Sequence, residues 1–283
     1  AAIGKLVPAE RRTWAFGIGT AAGSFGQFLF LPLTAWLIRD FGWMFALQAH
    51  AVVVAIILPL ALGIRGDREA GLKASGSSTL GGALREVGGD RNFHLLFWGY
   101  FVCGLQVVFI ALHLPAYLTD KGMPLDLGAK AIALVGLFNV IGCLSVGWLG
   151  ARISKKWLLT AIYVSRSIAM ALFLLAPLTH LSVYLFSAVI GLLWLSTVPP
   201  TNALVGQIYG VRNFGLLAGV IFFGHQIGSF LGAWLGGRIF DLTGSYDLAW
   251  GGAIAFGAFA AMMHLPIDQR PIAERRAVTP AAA

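Results

Sequence analysis

The stretch that decides the fold class is residues 93–118, FHLLFWGYFVCGLQVVFIALHLPAYL, which contains no Asp, Glu, Lys or Arg. A helix needs about 20 predominantly apolar residues to cross the hydrocarbon core of a bilayer. Backbone N–H and C=O groups inside a bilayer must be paired within the protein, and a helix pairs them within the segment itself. Residues 93–118 therefore predict a transmembrane helix.

Similar stretches recur along the whole chain. None shows the two-residue alternation of a membrane β-strand, so the sequence predicts an all-α integral membrane protein. We letter the eight predicted spans in chain order as A (14–38), B (43–64), C (93–118), D (129–150), E (157–176), F (183–205), G (214–239) and H (248–265).

The composition agrees with a membrane protein and argues against an enzyme. Apolar residues make up 58% of the chain and charged residues 11%, whereas soluble domains are roughly 25% charged. The two cysteines lie inside apolar runs and predict neither a disulfide framework nor a metal site. No phosphate-binding loop is present, and no acid lies deep in a span to complete a Ser/His/acid triad. We therefore predict no cofactor, no metal and no catalysis, since a membrane enzyme or sensor would need a catalytic cluster at one membrane face.

The loop charges predict an orientation. Cytoplasmic loops carry an excess of Lys and Arg. If residues 1–12 are cytoplasmic, fifteen basic residues fall in inner loops and four in outer loops. This predicts a multi-pass protein of the cell membrane, with a bacterial inner membrane as the expected location and a cytoplasmic C-terminus, and it explains the net charge of +8 without nucleic acid. The inner set is Lys5, Arg11, Arg12, Arg65, Arg68, Lys73, Arg85, Arg91, Arg152, Lys155, Lys156, Arg212, Arg270, Arg275 and Arg276, and the outer set is Arg39, Lys121, Lys130 and Arg238.

A weak internal sequence repeat predicts how the spans are organised. Spans A–B and G–H each contain the tripeptide Ala-Trp-Leu, at 35–37 and 233–235, and each pair follows an arginine, Arg12 or Arg212. Repeated helix sets are common in secondary transporters. The similarity between A–B and G–H predicts a repeat unit of six spans and a natural protein of twelve spans, of which this chain would lack the first four. The predicted segments are the end of an N-terminal bundle (1–64), a cytoplasmic linker (65–91), a six-helix C-terminal bundle (92–265) and a polar, disordered cytoplasmic tail (266–283).

Short motifs near the start of the chain resemble the major facilitator superfamily. The stretch PAERR (8–12), followed by AFG (15–17), resembles the loop that enters the fifth helix of that family. The following Gly19, Gly23, Gly26 and Pro32 resemble the Gly/Pro-rich motif of the fifth helix, and DFGW (40–43) resembles the entry to the sixth.

A motif further along resembles the second copy of the family's loop motif, between helices eight and nine. It reads GWLGAR (147–152) and is followed by Lys155 and Lys156. Ala151 stands where the motif usually has an acid, so a salt-bridge latch is not predicted here.

The resemblance implies a major-facilitator-type helical bundle with helices five to twelve present. It implies a monomeric secondary transporter, a symporter or antiporter, in which two bundles rock about a site at the bilayer midplane. Its partners would be a small solute, a proton or another coupling ion, and the lipid bilayer. Within the superfamily the chain is most similar to the monocarboxylate and oxalate/formate carriers. By the same resemblance the seventh and tenth helices, which are spans C and F, line the central cavity.

Polar groups inside spans C and F are candidates for the solute site, because such groups usually face the bundle interior or a water-filled cavity. In span C, Gln106, His113 and Tyr117 are spaced by seven and four residues and share one helical face. Bridging between helices is the alternative for Gln106 and His113, and an interfacial aromatic belt is the alternative for Tyr117. In span F, consecutive prolines at 199–200 predict a broken helix at membrane depth, and the candidates around them are Trp194, Thr197, Thr201 and Asn202. The alternative is a kink at which the hydroxyl groups only satisfy freed backbone groups.

Spans E and G supply the remaining candidates. Arg166 is the only charged side chain deep in a span and can neutralise an anion; the alternative is a structural role at backbone carbonyls. In span G, His225 and Gln226 adjoin four glycines at four-residue spacing, a pattern typical of close helix contact. His225 can bind an anion or carry a proton, and a packing role is the alternative. Asn139 in span D predicts a hydrogen bond between helices.

These residues predict transport of a small organic anion such as a monocarboxylate. The anion preference rests on Arg166, His113 and His225 and on the lack of acids inside the spans. Transport of neutral or hydrophobic solutes, as in drug or metabolite efflux, is the first alternative, and a polytopic membrane enzyme or sensor is the second.

Overall fold

The first helix folds back on itself at a glycine. The computed structural model describes residues 7–63 and 80–278, and after a short 3-10 turn (Ala9–Arg11) the helix α1 covers Arg12–Ala55. Gly42 interrupts α1 with φ 82° and ψ 163°. Thr34 Oγ1 and His50 Nε2 lie 2.9 Å apart, whereas about 24 Å would separate them along a straight helix. Residues 12–41 and 43–55 are therefore two antiparallel arms, which correspond to predicted spans A and B.

The remaining spans form helices at the predicted places, with ends shifted by a few residues. The structure has α2 (Ile57–Gly63), α3 (Leu80–Val87), α4 (Arg91–Asp120), α5 (Leu125–Leu149), α6 (Lys155–Leu175), α7 (His180–Leu193), α8 (Val198–Tyr209), α9 (Phe214–Thr243), α10 (Asp247–His264) and α11 (Ile272–Val278). Span F is divided between α7 and α8. The described residues form no strand, and the fold is all-α as predicted.

Six runs of the described chain are long and apolar enough to cross a membrane, whereas eight spans are predicted. The first run, Ala9–Leu60, contains both arms of α1 and so accounts for two predicted spans. Helix α10 is not among the six. It has 18 residues and includes Asp247 and His264 at its ends, which lower its mean hydropathy.

The glycine stripe of α9 lies against α4. Gly224, Gly228, Gly232 and Gly236 are all buried. A Cβ added to Gly228 would meet the carbonyl oxygen of Phe101, and one added to Gly232 would meet that of Leu105. Only glycine permits backbones this close, so the predicted close contact is confirmed.

The first arm of α1 also packs closely on α5 through a glycine. A Cβ on Gly17 would lie 2.8 Å from the carbonyl oxygen of Cys143. Asn139 Nδ2 donates to Ser24 Oγ at 2.7 Å, which is the hydrogen bond between helices that the sequence predicts. The second arm carries exposed apolar side chains, with Leu47 61% and Val54 61% exposed, a surface suited to lipid or to other apolar helices.

The prediction of a disordered tail is wrong for residues 266–278. Asp268 and Asn92 exchange hydrogen bonds, Asn92 Nδ2 donating to the Asp268 carbonyl at 2.7 Å and Asp268 N donating to Asn92 Oδ1 at 3.2 Å. Arg275 on α11 pairs with Asp90 at 2.6 Å, and Ile267 is fully buried. A polar sequence does not reveal that its partners lie at the start of α4. The tail beyond 278 and residues 65–79 of the predicted linker lie outside the described residues.

Candidate functional site

A break in the helix of span F organises the most buried polar cluster. Helix α7 ends at Leu193, and α8 begins at Val198 with Pro199 and Pro200 in its first turn. Proline is tolerated in a first turn because the N–H that it lacks has no intrahelical partner there. Because the helix is interrupted between Leu193 and Val198, the carbonyls at the end of α7 lack the N–H donors that a continuous helix would provide.

Arg166 on α6 satisfies those carbonyls. Its Nε donates to the Leu193 carbonyl at 3.2 Å and its Nη2 to the same oxygen at 2.6 Å. Nη2 also donates to the Trp194 carbonyl, and Nη1 donates to Gln106 Oε1 at 3.2 Å. The side chain is 1% exposed. The C-terminal end of a helix carries partial negative charge, so α7 offers a favourable position for a cation.

No acid forms an ion pair with Arg166 among the described residues, since all four ion pairs found there lie elsewhere. Its acceptors are neutral carbonyls, the Gln106 amide and, at 3.8 Å, the Cys103 thiol. Arg166 is also the only Lys, Arg, Asp or Glu among the buried residues described. Arg166 therefore places a positive charge in the interior of the bundle with no acid beside it in the described residues.

Cys103 joins Arg166 to the start of α8 and to α9. Its sulfur lies 3.1 Å from Thr197 Oγ1, and His225 on α9 lies beside it. The helices can approach this closely because position 104 is glycine, where a Cβ would collide with the His225 carbonyl oxygen. Sequence reasoning did not single out Cys103, and its position in an apolar run gives no signal of these contacts.

Two candidate residues carry buried polar atoms that have no hydrogen-bond partner in the described part of the chain. These are Thr201 Oγ1 and His225 Nε2. Thr201 lies one helical turn after Thr197, whose carbonyl accepts its N–H at 3.1 Å. An unpaired buried polar atom costs about 1–3 kcal/mol, so such atoms are natural positions for contacts with a ligand.

His113 and Tyr117 belong to a different cluster. His113 Nε2 lies 2.9 Å from the Ala233 carbonyl on α9, and its ring occupies the space over Gly236. The Tyr117 ring lies 5.8 Å from that of Trp250 and 6.2 Å from that of Phe173. The shared face of α4 therefore contacts polar groups at Gln106 and aromatic groups further along.

Comparison with models of known protein families shows to which family this chain belongs. The model of the Major Facilitator Superfamily matches residues 1–233. The chain belongs to the Major Facilitator Superfamily. This is a family of transporters, and neither the family nor the named relatives indicate an enzyme.

Several relatives within the superfamily are similar to this chain over most of its length. The chain is 28% identical over 259 residues to an uncharacterized MFS-type transporter, YcxA, of Bacillus subtilis (strain 168), a match that covers 89% of this chain and 63% of the relative. It is 26% identical over 266 residues to monocarboxylate transporter 13 of Rattus norvegicus, covering 88% of this chain and 58% of the relative. The chain thus spans about three-fifths of the length of these relatives.

A solved superfamily structure has the same fold. The transporter FucP, in an outward conformation, superposes with a TM-score of 0.66 at 16% identity, covering 94% of this chain and 71% of FucP. This likeness concerns the fold alone.

The loop that resembles the superfamily's loop motif has Ala151 at the position expected for an acid. At the end of α5, the Arg152 guanidinium lies 3.6 Å from the centre of the Trp148 ring. The Gln269 side chain in the tail accepts from Lys155 N at 3.0 Å and donates to Ser154 Oγ at 2.7 Å. The loop between α5 and α6 is thus tied to the tail by hydrogen bonds to the neutral side chain of Gln269.

For this superfamily member, the predicted site residues other than His113 and Tyr117 fall into three groups. Gln106, Arg166 and Thr197 meet in the cluster at the helix break, and Trp194 enters it through its carbonyl. Thr201 and His225 adjoin it. Asn202 is half-buried on α8, and the exposed Gln226 contacts the His225 ring, its Oε1 lying 3.1 Å from Nδ1.

Proposed function

We propose that the protein containing this chain is a secondary transporter of a small organic anion, such as a monocarboxylate, that works by rocker-switch alternating access. One observation carries the proposal: the bundle interior holds the positive charge of Arg166 with no acid paired to it in the described residues. Charged groups inside membrane proteins commonly mark pathways for ions and substrates. The likeness to monocarboxylate transporter 13 of Rattus norvegicus supports the same substrate class.

Different tasks for the candidate residues belong to this proposal. Arg166 already donates to two backbone carbonyls and to Gln106. It therefore contributes positive potential, and the unpaired Thr201 hydroxyl and the unpaired His225 Nε2 contact the carboxylate. His225 also carries a proton when a proton is the coupling ion, because histidine is the side chain whose charge changes near neutral pH.

Purified protein in proteoliposomes tests this proposal. We expect uptake of labelled monocarboxylates under an imposed proton or ion gradient and little uptake of the matching uncharged amides. Absence of carboxylate uptake under every gradient would overturn the proposal.

Variants at the unpaired atoms test the site. Thr201→Val and His225→Gln should each raise KM for the carboxylate about tenfold or more, because a hydrogen bond to a charged group is worth roughly 1.5–3 kcal/mol. Thr160→Val is the matched control, since the Thr160 hydroxyl donates to the Lys156 carbonyl at 2.9 Å within α6 and should not affect KM. Unchanged KM in both site variants would remove Thr201 and His225 from the site.

A second candidate function is transport of a neutral or hydrophobic solute. It is favoured by the aromatic cluster around Trp250, whose Nε1 is buried without a partner in the described residues and whose ring lies 5.0 Å from Phe109 and 5.9 Å from Phe186. Equal uptake of carboxylates and amides in the proteoliposome assay would support this function.

A further inference from the structure

A pocket of about 620 Å³ lies where α3, the start of α4 and α11 meet. Helix α3 is held by Ala83 and Val87, which are 0% and 1% exposed in the core. This leaves Arg85 exposed on the opposite side of α3. The pocket is lined by Arg85, Glu86, Gly89, Asp90, Arg91, Ile272, Arg275 and Arg276.

The pocket has an excess of positive charge. Asp90 is neutralised by Arg275 at 2.6 Å, in a pair whose side chains are 6% and 19% exposed. Arg276 donates to the Glu86 backbone carbonyl at 2.6 Å, and the Glu86 carboxylate accepts from Asn213 at 3.1 Å. Arg85 and Arg91 form no ion pair among the described residues. Three unpaired guanidinium charges against one carboxylate leave a net charge of about +2, which favours an anionic ligand.

The pocket lies at the depth of lipid headgroups. Arg91 is the first residue of α4, and Trp98 lies seven residues further along, roughly 10 Å at 1.5 Å per residue. Trp98 is 46% exposed, and tryptophans on membrane helices concentrate at the boundary between headgroups and hydrocarbon. The pocket is therefore on the aqueous side of this boundary, within reach of a phosphate group in the adjacent leaflet.

We propose that this pocket binds the phosphate headgroup of an anionic phospholipid. Arg85 and Arg91 hold the phosphate oxygens, and Arg276 adds positive charge from the tail. Basic pockets beside transmembrane helices bind such headgroups through the same forces. The bound lipid then links the chain before α4 to the tail helix α11, and this inference does not depend on the identity of the transported solute.

Retention of lipid by the purified protein tests the proposal. The protein is released from nanodiscs that contain equal amounts of phosphatidylglycerol and phosphatidylcholine, and bound lipid is counted by native mass spectrometry. We expect preferential retention of phosphatidylglycerol by the unaltered protein. The double variant Arg85→Gln/Arg91→Gln should weaken that binding about thirtyfold, since each basic residue near an anionic membrane surface contributes about 1 kcal/mol.

Two controls distinguish a lipid site in this pocket from a general effect of surface charge and from a site for free phosphate esters. Arg238→Gln removes an exposed charge at the far end of α9 and should leave lipid retention unchanged. Millimolar glycerol 3-phosphate should not displace the lipid, because the acyl chains add to its affinity. Wild-type retention in the double variant, an equal loss in Arg238→Gln, or displacement by free glycerol 3-phosphate would each overturn the proposal, and a thermal unfolding midpoint close to wild type establishes that the double variant is folded.

Discussion

At the scale of single residues, Arg166 is a buried charge that forms no ion pair with an acid in the part of the chain that the structure describes. Removing a guanidinium from water is costly, and the cost is offset here by hydrogen bonds to the Leu193 and Trp194 carbonyls and to Gln106. The same bonds satisfy backbone groups that the helix break leaves unpaired. Arg166 therefore serves the structure of the break while it supplies positive charge to the interior.

Substitution of Arg166 separates these two tasks. Arg166→Met should lower the free energy of unfolding by roughly 2 kcal/mol or more, because the carbonyls lose their donors. Arg166→Lys keeps the charge but not the planar fork of donors, so it should be less stable than wild type yet still take up carboxylates in preference to amides. Thermal unfolding in detergent and the proteoliposome assay measure the two effects, with Lys130→Gln as an exposed control expected to change neither.

A wild-type unfolding midpoint in Arg166→Met would show that the carbonyl contacts contribute nothing to stability. Loss of the preference for carboxylates in a folded Arg166→Lys protein would show that charge alone is insufficient for selectivity.

The sequence predicted Arg166 better than it predicted His113. A charged residue in an apolar run is conspicuous, and both a structural role and an anion-binding role follow from its chemistry. His113 shares a face with Gln106 on α4, but its ring lies over Gly236 and 2.9 Å from the Ala233 carbonyl. Which partner a polar group meets depends on the rotation and crossing of another helix, and spacing along α4 does not contain that information.

At the scale of elements, the contact between α4 and α9 depends on the absence of side chains. Gly104 on α4 and Gly228 on α9 each face a backbone carbonyl of the other helix. This contact brings His225 beside Cys103 and so positions one wall of the candidate site. The four-residue glycine spacing predicted that α9 packs closely on another helix, but only the structure identified that helix as α4.

Alanine substitutions within α9 test this contact. Gly228→Ala should destabilise the protein by about 1–3 kcal/mol, since the added methyl group meets the Phe101 carbonyl and the helices must separate. Gly219→Ala, on the same helix with nothing within 4 Å of the added atom, should be neutral or stabilising by up to about 1 kcal/mol through helix propensity. Thermal unfolding of both variants in one detergent measures the difference, and equal midpoints would contradict the packing account.

At the scale of the whole molecule, the charged loop ends meet on one face. The tail contacts three of these ends: Asn92 at the start of α4, Ser154 in the loop between α5 and α6, and Gln207 at the end of α8. Within the tail, hydrogen bonding from Arg270 lowers the pKa of the Asp268 carboxyl to about 2. This carboxyl therefore stays ionised through the neutral and mildly acidic range. Most basic residues of the predicted inner set that the structure describes belong to this face.

Side-specific labelling tests the predicted orientation. Cys103 and Cys143 are free and buried, so they should react little with a membrane-impermeant maleimide. Arg152→Cys places a thiol on the face that carries the tail, and Lys121→Cys places one at the opposite end of α4. In intact cells only Lys121→Cys should be labelled, and in inverted vesicles only Arg152→Cys; the reverse result would contradict the orientation predicted from the loop charges.

The sequence by itself determined that this is a helical membrane protein, where its helices lie, that Pro199 and Pro200 mark a break, and which family motifs it carries. Hydropathy, proline and glycine act on the chain locally, so their effects can be predicted from neighbouring residues. Only the tertiary structure decided that Arg166 binds the carbonyls at that break, that Cys103 joins Thr197 and His225, and that the tail packs beside Asp90. Each of these contacts joins residues far apart in the chain, and their formation depends on how the helices are rotated and cross in three dimensions.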